Sequence, residues 1–154
     1  MSARRAPCYV LLAVVTGLSV TSARSASHAV ADDAEPPRWY DETHVARGAE
    51  VFARHCAGCH GERAQGAADW RRRDASGKLP PPPLDGTGHA WHHPSAVLMK
   101  VILEGSPQGG SMPGWAGTIT ANDAASVIAW FQSRWPDEIY AAWYRIELQA
   151  RRGQ

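Results

Sequence analysis

The sequence has few cysteines and almost no net charge, and each shortage excludes a class of protein. Three cysteines in 154 residues are too few for a small fold held together by several disulfides. A formal charge of +1 gives no electrostatic basis for binding nucleic acid. Charged residues make up 20% and hydrophobic residues 44% of the chain. That balance is typical of a globular protein and excludes a disordered tail.

Long hydrophobic runs and strand-like patterns are also scarce. The longest mostly apolar run covers about fifteen residues, 6–20, which is shorter than the roughly 20 residues of a membrane-spanning helix. There is no sustained alternation of apolar and polar residues, and runs of β-branched residues are few, so strands are not predicted. The sequence therefore predicts an all-α fold.

The first 31 residues have the layout of a secretory signal peptide. Two arginines precede the apolar run, and Ala29-Val30-Ala31 fits the pattern of small residues at a cleavage site. We predict that residues 1–31 are removed and that the mature protein is periplasmic. The alternative is an uncleaved membrane anchor. Cys8 lies before the apolar run, so we do not expect it to carry a lipid.

Removal of this segment changes the charge and the cysteine count. The segment contains three arginines, no acidic residue and one of the three cysteines, so the remainder has a net charge of −2 and keeps only Cys56 and Cys59. In an exported protein, two cysteines at this spacing are either a redox pair or a point of cofactor attachment.

The two cysteines lie in the run Cys56-Ala57-Gly58-Cys59-His60. The pattern C-x-x-C-H is the attachment signature of c-type haem. Thiols three residues apart on a helical turn point to one side and can add to the two vinyl groups of a porphyrin, while the next histidine can bind the iron. A thioredoxin-like dithiol would need a βαβ pattern, and a zinc site would need a second ligand pair. We therefore predict one covalent haem c, held by Cys56 and Cys59 and ligated by His60.

Helical patterns lie on both sides of this motif. Before it, with Thr43 as the expected N-cap, apolar or small residues recur at helical spacing: Val45, Gly48, Ala49, Phe52 and Cys56. After it, Thr120 to Asp123 resembles a capping box with Asp in place of Glu. An apolar stripe follows at Ala124, Val127, Ile128, Phe131 and Trp135, with Trp130 beside it.

From about Thr43 to Trp135 the chain resembles the class I c-type cytochromes, small electron carriers with one haem. The resemblance implies a cytochrome c-like fold of about five short helices around one haem. It also implies that Gly48 and Phe52 let the first helix cross the last one closely. An aromatic residue of the last helix, Trp130 or Phe131, then faces the glycine.

The resemblance further implies that Met112 is the second iron ligand. Met112 precedes Pro113 in a Gly/Pro-rich loop just before the last helix, where the family places its axial thioether. Met99 lies in residues 95–104, which read as a short amphipathic helix, and we expect it to fill the core. Ligation by His60 and Met112 raises the reduction potential and leaves no free position on the iron, so we expect no enzymatic activity.

A long loop, residues 67–94, contains Pro80-Pro81-Pro82-Pro83-Leu84. By resemblance, Pro82, or less favourably Pro83, offers its carbonyl to the free nitrogen of His60, and Leu84 packs on the haem. Such hydrogen bonds orient a ligating histidine. The alternative is a stiff surface loop.

Two polar clusters in this loop have more than one interpretation. His89, His92 and His93 suggest a Cu or Zn site, or a loop in which Trp91 or a histidine bonds a haem propionate. Three consecutive arginines, 71–73, suggest docking of an acidic redox partner, neutralisation of a propionate, or a solvated loop.

The residues after Trp135 predict a further helix. Pro136 is expected at its first position and acidic residues in its first turn, with an apolar stripe at Ile139, Trp143 and Ile146. This extension is expected to pack on the haem domain, or alternatively to dock a partner.

The predicted organisation has four parts: a signal peptide (1–31), a linker (32–42), a cytochrome c domain (43–135) and a helical extension (136–154). We expect a monomeric one-electron carrier that meets redox partner proteins, with no nucleic-acid partner and no stable membrane span after removal of the signal. The alternatives are a haem subunit docked on a periplasmic dehydrogenase or oxidase, a ligand or redox sensor or weak peroxidase if Met112 is not on the iron, and a metal-handling protein.

Overall fold

The computed structural model describes residues 35–107 and 110–153. The predicted signal peptide, residues 1–31, lies outside these ranges. Within them the chain forms helices and no β-strand, which confirms the predicted all-α fold. A short 3-10 turn, Ala90–His92, precedes the third of five helices, which are α1 (Glu42–His55), α2 (Ala57–His60), α3 (Ser95–Glu104), α4 (Ala121–Gln132) and α5 (Asp137–Arg152).

The N-cap of the first helix lies two residues before the predicted one. Asp41 is the N-cap, with extended backbone, and its carboxylate accepts a hydrogen bond of 2.9 Å from the backbone N–H of His44. The prediction of Thr43 as N-cap is wrong, because Thr43 already lies in the first helical turn. Both residue types cap helices well, and the backbone conformation at Asp41 decides between them.

Helices α1 and α4 cross closely at a glycine. A methyl group added at Gly48 would overlap the backbone carbonyl of Ser126 and lie 2.7 Å from Cβ of Trp130. The rings of Phe52 and Trp130 pack at a centroid distance of 4.2 Å. Trp130 is therefore the aromatic residue at Gly48, while Phe131, also buried, is not.

The predicted capping box at the start of α4 is present. The Thr120 hydroxyl accepts from the backbone N–H of Asp123, and the Asp123 carboxylate accepts in return from the backbone N–H of Thr120, each at 3.1 Å. The same carboxylate pairs with Arg47 of α1 at 2.7 Å. A local cap and an inter-helix ion pair thus share one carboxylate.

We expect Asp123→Asn to change how stability depends on pH. The hydrogen bonds from Thr120, and then the contact with Arg47, lower the pKa of Asp123 from 3.8 to about 2. A carboxylate with a lowered folded-state pKa stabilises the protein above its unfolded pKa, and this contribution is lost as pH falls through the folded one. The variant should therefore melt below the wild type at pH 6, and the difference should shrink between about pH 4 and pH 2.

Thermal midpoints of both proteins across this pH range measure the effect. Glu50→Gln is the matched control, because Glu50 also approaches Arg47, at 3.4 Å, but in an exposed pair. It should leave the midpoint nearly unchanged throughout. A gap between Asp123→Asn and wild type that stays constant from pH 6 to pH 2 would contradict the assignment.

Helix α5 is built into the domain through an aromatic face. Tyr140 and Trp143 are among the most deeply buried residues, at 0% and 1% exposure, and their ring centroids lie 5.1 Å apart. Ile139 and Ile146 of the predicted stripe are only half-buried.

Pro136 precedes α5 as its N-cap residue. The prediction of Pro136 as the first helical residue is therefore wrong by one position.

The same helix fixes the start of α3. Pro94, the residue before α3, provides no side-chain cap. Instead the buried carboxylate of Glu147 accepts from the backbone N–H of Ser95 at 2.7 Å, and the indole N–H of Trp143 donates to the carbonyl of His93 at 3.2 Å. The first N–H groups of a helix have no partner inside that helix. Glu147 of α5 accepts from one such group of α3, the N–H of Ser95.

The segment before α1 is attached to the end of α4 and the start of α5. The indole N–H of Trp39 donates to Gln132 Oε1 at 2.6 Å, Tyr140 donates its hydroxyl proton to the carbonyl of Pro37 at 3.3 Å, and Arg38 pairs with Asp137 at 2.7 Å.

Among the helices in residues 35–107 and 110–153, none has the length and apolar character to span a bilayer.

Candidate haem site

Cys56 lies at the junction between α1 and α2, and Cys59 lies within α2. The chain leaves α1 at Cys56, whose carbonyl accepts from the backbone N–H groups of Cys59 and His60 at 3.1 and 3.0 Å. This turn gives the two thiols the i, i+3 spacing of one helical turn. Cys56 is half-buried, Cys59 is exposed, and neither forms a disulfide.

The protonation of Cys56 bears on whether the two thiols form a redox pair. Burial, and secondarily the neighbouring Cys59, raises the pKa of the Cys56 thiol to about 11. A redox-active dithiol needs the opposite, a lowered pKa that provides thiolate near neutral pH. The raised pKa of Cys56 therefore gives no support to a redox-active dithiol.

His60 is buried, with 6% exposure, and its ring is held by one hydrogen bond. Its Nδ1 lies 2.9 Å from the carbonyl oxygen of Pro82. Because a carbonyl only accepts, the proton must be on Nδ1, and the lone pair of Nε2 is free to bind a metal. Burial lowers the pKa of His60, against the opposing effect of the Pro82 carbonyl, and so favours the neutral, ligating form. Of the two prolines considered, Pro82 makes this contact.

The proline loop is fixed immediately after Pro82. The backbone N–H of Leu84 donates to the carbonyl of Ala64 at 2.7 Å, and the Leu84 carbonyl accepts from the indole N–H of Trp135 at 2.8 Å. Gly66, with a φ of +64°, passes so close to the backbone of Pro83 that a methyl group there would overlap it. Leu84 is half-buried and packs against the core.

Trp135 is the part of this arrangement that sequence reasoning missed. Its position after α4 indicated only a core residue. The structure confirms that Trp135 is buried, with 3% of its surface exposed. No local pattern indicates that its N–H meets the Leu84 carbonyl, because the two residues are far apart in the chain.

The loop that carries Met112 is anchored on the end of α3. The backbone N–H of Trp115 donates to the carbonyl of Ile102 at 3.0 Å, and the carbonyl of Met112 accepts from the N–H of Ser106 at 3.1 Å. Met112 is half-buried and packs against the hydrophobic core. Met99, on α3, also packs against the core, which agrees with the role expected for it.

The Met112 loop and the proline loop are joined directly. Leu79 and Gly110 form an isolated β-bridge, and the hydroxyl of Ser111 donates to the Leu79 carbonyl at 3.4 Å. Ser111 precedes Met112, and Leu79 is three residues before Pro82. The Pro82 carbonyl, which orients His60, and Met112, which the resemblance names as the second ligand, therefore lie in neighbouring loops.

The three histidines of the long loop do not assemble the three-ligand site considered from the sequence. Residues 35–107 and 110–153 contain no group of three or more His, Cys, Asp or Glu side chains placed to hold a metal ion. The ring of His89 stacks on Trp70, and that of His92 stacks on Trp91.

The three arginines lie on the surface. Arg72 pairs with Asp69 at 2.6 Å, Arg73 donates to the carbonyl of Gly77 at 2.6 Å, and the Arg71 guanidinium lies 4.1 Å from the ring centroid of Trp70. Exposed pairs of this kind add little stability.

A helical domain with a C-x-x-C-H turn and an oriented, neutral histidine defines a c-type cytochrome. The family model described as cytochrome C oxidase, cbb3-type, subunit III matches residues 43–131, more than half of the chain. The chain belongs to this family, which confirms the predicted relationship to c-type cytochromes and assigns it to haem-based electron transfer. No solved structure matches the chain significantly.

Proposed function

We propose that this protein is a one-electron carrier in which Cys56 and Cys59 hold a single haem c and His60 and Met112 are the axial ligands. The observation that carries the proposal is the 2.9 Å hydrogen bond from His60 Nδ1 to the Pro82 carbonyl. This hydrogen bond leaves Nε2 of the buried, neutral His60 ring free to bind a metal. His60 directly follows Cys59, and neither Cys56 nor Cys59 forms a disulfide. This donor set fits a covalently attached haem.

The residues of the chain suit electron transfer better than catalysis. A bound haem supplies an iron that changes between the ferrous and ferric states. Pro82 fixes the His60 ring, which limits reorganisation when the charge on the iron changes. The neutral thioether of Met112 favours the reduced state and raises the potential. With His60 and Met112 both bound to the iron, no position would be left for oxygen or a substrate, so we propose no enzymatic activity.

We place this carrier in the periplasm, where it exchanges electrons with redox partner proteins. The support is the signal-like pattern of residues 1–31 and the membership of a c-type cytochrome family, since c-type cytochromes are typically exported.

Met112→Ala tests the ligand assignment. We expect the haem to stay covalently attached, while the weak red to near-infrared band from sulfur-to-ferric-iron charge transfer disappears and the iron binds added imidazole or cyanide. Absorption spectra of the oxidised and reduced proteins, with and without these ligands, measure this. Met99→Ala is the matched control, because Met99 is also half-buried against the core, and it should keep the band.

Other outcomes of this experiment would change the proposal. A wild-type spectrum without the sulfur band, together with ready binding of added ligands, would favour a ligand or redox sensor or a weak peroxidase. An unchanged low-spin spectrum in Met112→Ala would show that another residue is the ligand.

A second candidate is a haem subunit held permanently on an oxidase. It is favoured by the description of the matching family, which names a subunit of a cbb3-type oxidase. Gel filtration of the native protein from its own membrane and periplasmic extracts separates the two candidates. A free carrier elutes at the size of one chain, whereas a subunit elutes with a large complex.

A further inference from the structure

Two histidine rings of the long loop meet outside the haem-attachment residues. The rings of His89 and His93 lie with their centroids 5.6 Å apart and their planes at 80°. His89 is exposed and His93 is half-buried. Neither residue takes part in the electron-carrier proposal.

This separation suits two imidazoles that share one metal ion. A metal lies about 2.0–2.1 Å from a ligating imidazole nitrogen, so each ring centroid is roughly 3.2 Å from the metal and two tetrahedrally placed rings have centroids about 5.2 Å apart. The observed 5.6 Å differs from this by only a few tenths of an ångström. The ring separation therefore fits two imidazoles bound to one ion.

Both histidines are held in place before any ligand arrives. The His89 ring stacks on the indole of Trp70, with centroids 5.3 Å apart and planes at 16°. The backbone of His93 is fixed by two bonds, from its N–H to the carbonyl of Ala90 at 3.1 Å and from the Trp143 indole to its own carbonyl at 3.2 Å. Preorganised groups lose less conformational freedom on binding.

We propose that His89 and His93 together bind one divalent transition-metal ion, Zn(II) or Cu(II), at the surface of the haem domain. Imidazole is a good ligand for both ions. Two protein ligands leave the other coordination positions to water, so the ion is exchangeable and not a structural element. His92 is not part of the site, because the histidine ring that lies against His89 is that of His93.

The local charges affect this site in opposite directions. Partial desolvation of the His89 ring, followed by the neighbouring His93, His92 and Arg71, lowers the pKa of His89, which favours the neutral form that binds metals. The positive charge of Arg71, whose guanidinium lies over Trp70, also repels an incoming cation. Removal of this charge should therefore strengthen metal binding.

The test uses the haem-loaded ferric protein without a histidine tag. Isothermal titration with ZnCl2 and with CuSO4, together with metal analysis after dialysis, gives the affinity and the number of ions per haem iron. We expect one additional ion per iron, with Cu(II) bound more tightly than Zn(II). His89→Gln and His93→Gln should each weaken Zn(II) binding at least tenfold, while Arg71→Gln should tighten it severalfold.

His92→Gln is the matched control, since it removes an imidazole from the same turn but not from the pair, and it should change the affinity by less than twofold. The haem absorption spectrum of each variant verifies that its fold is retained. Electron paramagnetic resonance of the Cu(II)-loaded wild type provides an independent measurement and should show two imidazole nitrogens on the copper. Equal Zn(II) affinities in wild type, His89→Gln and His93→Gln, or a loss in His92→Gln as large as theirs, would overturn the proposal.

Discussion

Replacing Gly48 with alanine should destabilise the protein by at least about 2 kcal/mol. Helix propensity alone predicts the opposite sign, because alanine is better than glycine in a helix interior by about 1 kcal/mol. The added methyl group, however, would overlap the Ser126 carbonyl and lie 2.7 Å from Cβ of Trp130. Helices α1 and α4 would have to move apart, which would disturb the contact of Phe52 with Trp130.

Urea unfolding of the haem-loaded protein, followed by circular dichroism, measures this change. Gly58→Ala is the matched control, because a methyl group at Gly58 meets no heavy atom within 4 Å. It should leave the free energy of unfolding within about 0.5 kcal/mol of wild type, as expected for a surface substitution. A stable Gly48→Ala protein, equal to Gly58→Ala, would show that the crossing of α1 and α4 is looser than the structure indicates.

The double substitution of Cys56 and Cys59 by alanine should abolish covalent attachment of haem. These cysteines are the only thiols on the described turn, and His60 can coordinate an iron but cannot form the thioether bonds. Loss of the haem should also reduce the amount of folded protein, because a bound haem would add to the core of a small domain. Cys56→Ala alone should weaken attachment, since one thiol remains.

Denaturing gel electrophoresis with a haem stain, and extraction of the haem into acidified organic solvent, detect covalent attachment directly. Cys8→Ala is the control, because Cys8 is the remaining cysteine of the chain and lies outside the C-x-x-C-H motif, in the segment predicted to be removed. It should retain the stained band. Haem that stays with the denatured double variant would contradict attachment through Cys56 and Cys59.

Local patterns predicted several features of the fold well. The capping box at Thr120 and Asp123 involves residues three positions apart and depends only on backbone geometry at the helix start, and the structure contains it. The span of α3, residues 95–104, also follows from its own apolar pattern and from Pro94 before it. Such features need no information about the rest of the chain.

Two helix boundaries were predicted less well, for a physical reason. Asp41 and Thr43 are both good cap residues, and a sequence pattern does not indicate which of them takes the extended backbone conformation. Likewise Pro136 is acceptable both at the N-cap and at the first helical position. Each error is one or two residues, which is also the margin by which helix ends vary with definition.

The contacts around His60 needed the tertiary structure for their completion. Four consecutive prolines present nearly equivalent carbonyls, and the resemblance reduced them to Pro82 or Pro83. The hydrogen bond to Pro82 depends on where the loop is held, through the bonds of Leu84 to Ala64 and Trp135. The last of these contacts joins residues 51 positions apart.

The sequence by itself determined the chemistry of this protein, because a C-x-x-C-H turn carries its thiols and imidazole within five consecutive residues and depends on no distant contact. Only the tertiary structure decided which residues support that turn and hold its neighbours in place. Trp130 rather than Phe131 meets Gly48, Glu147 caps α3 from another helix, and His89 approaches His93 without His92. These pairings arise from the packing of segments that are distant in the chain, or from ring orientations that packing imposes, and neither is encoded in a local pattern.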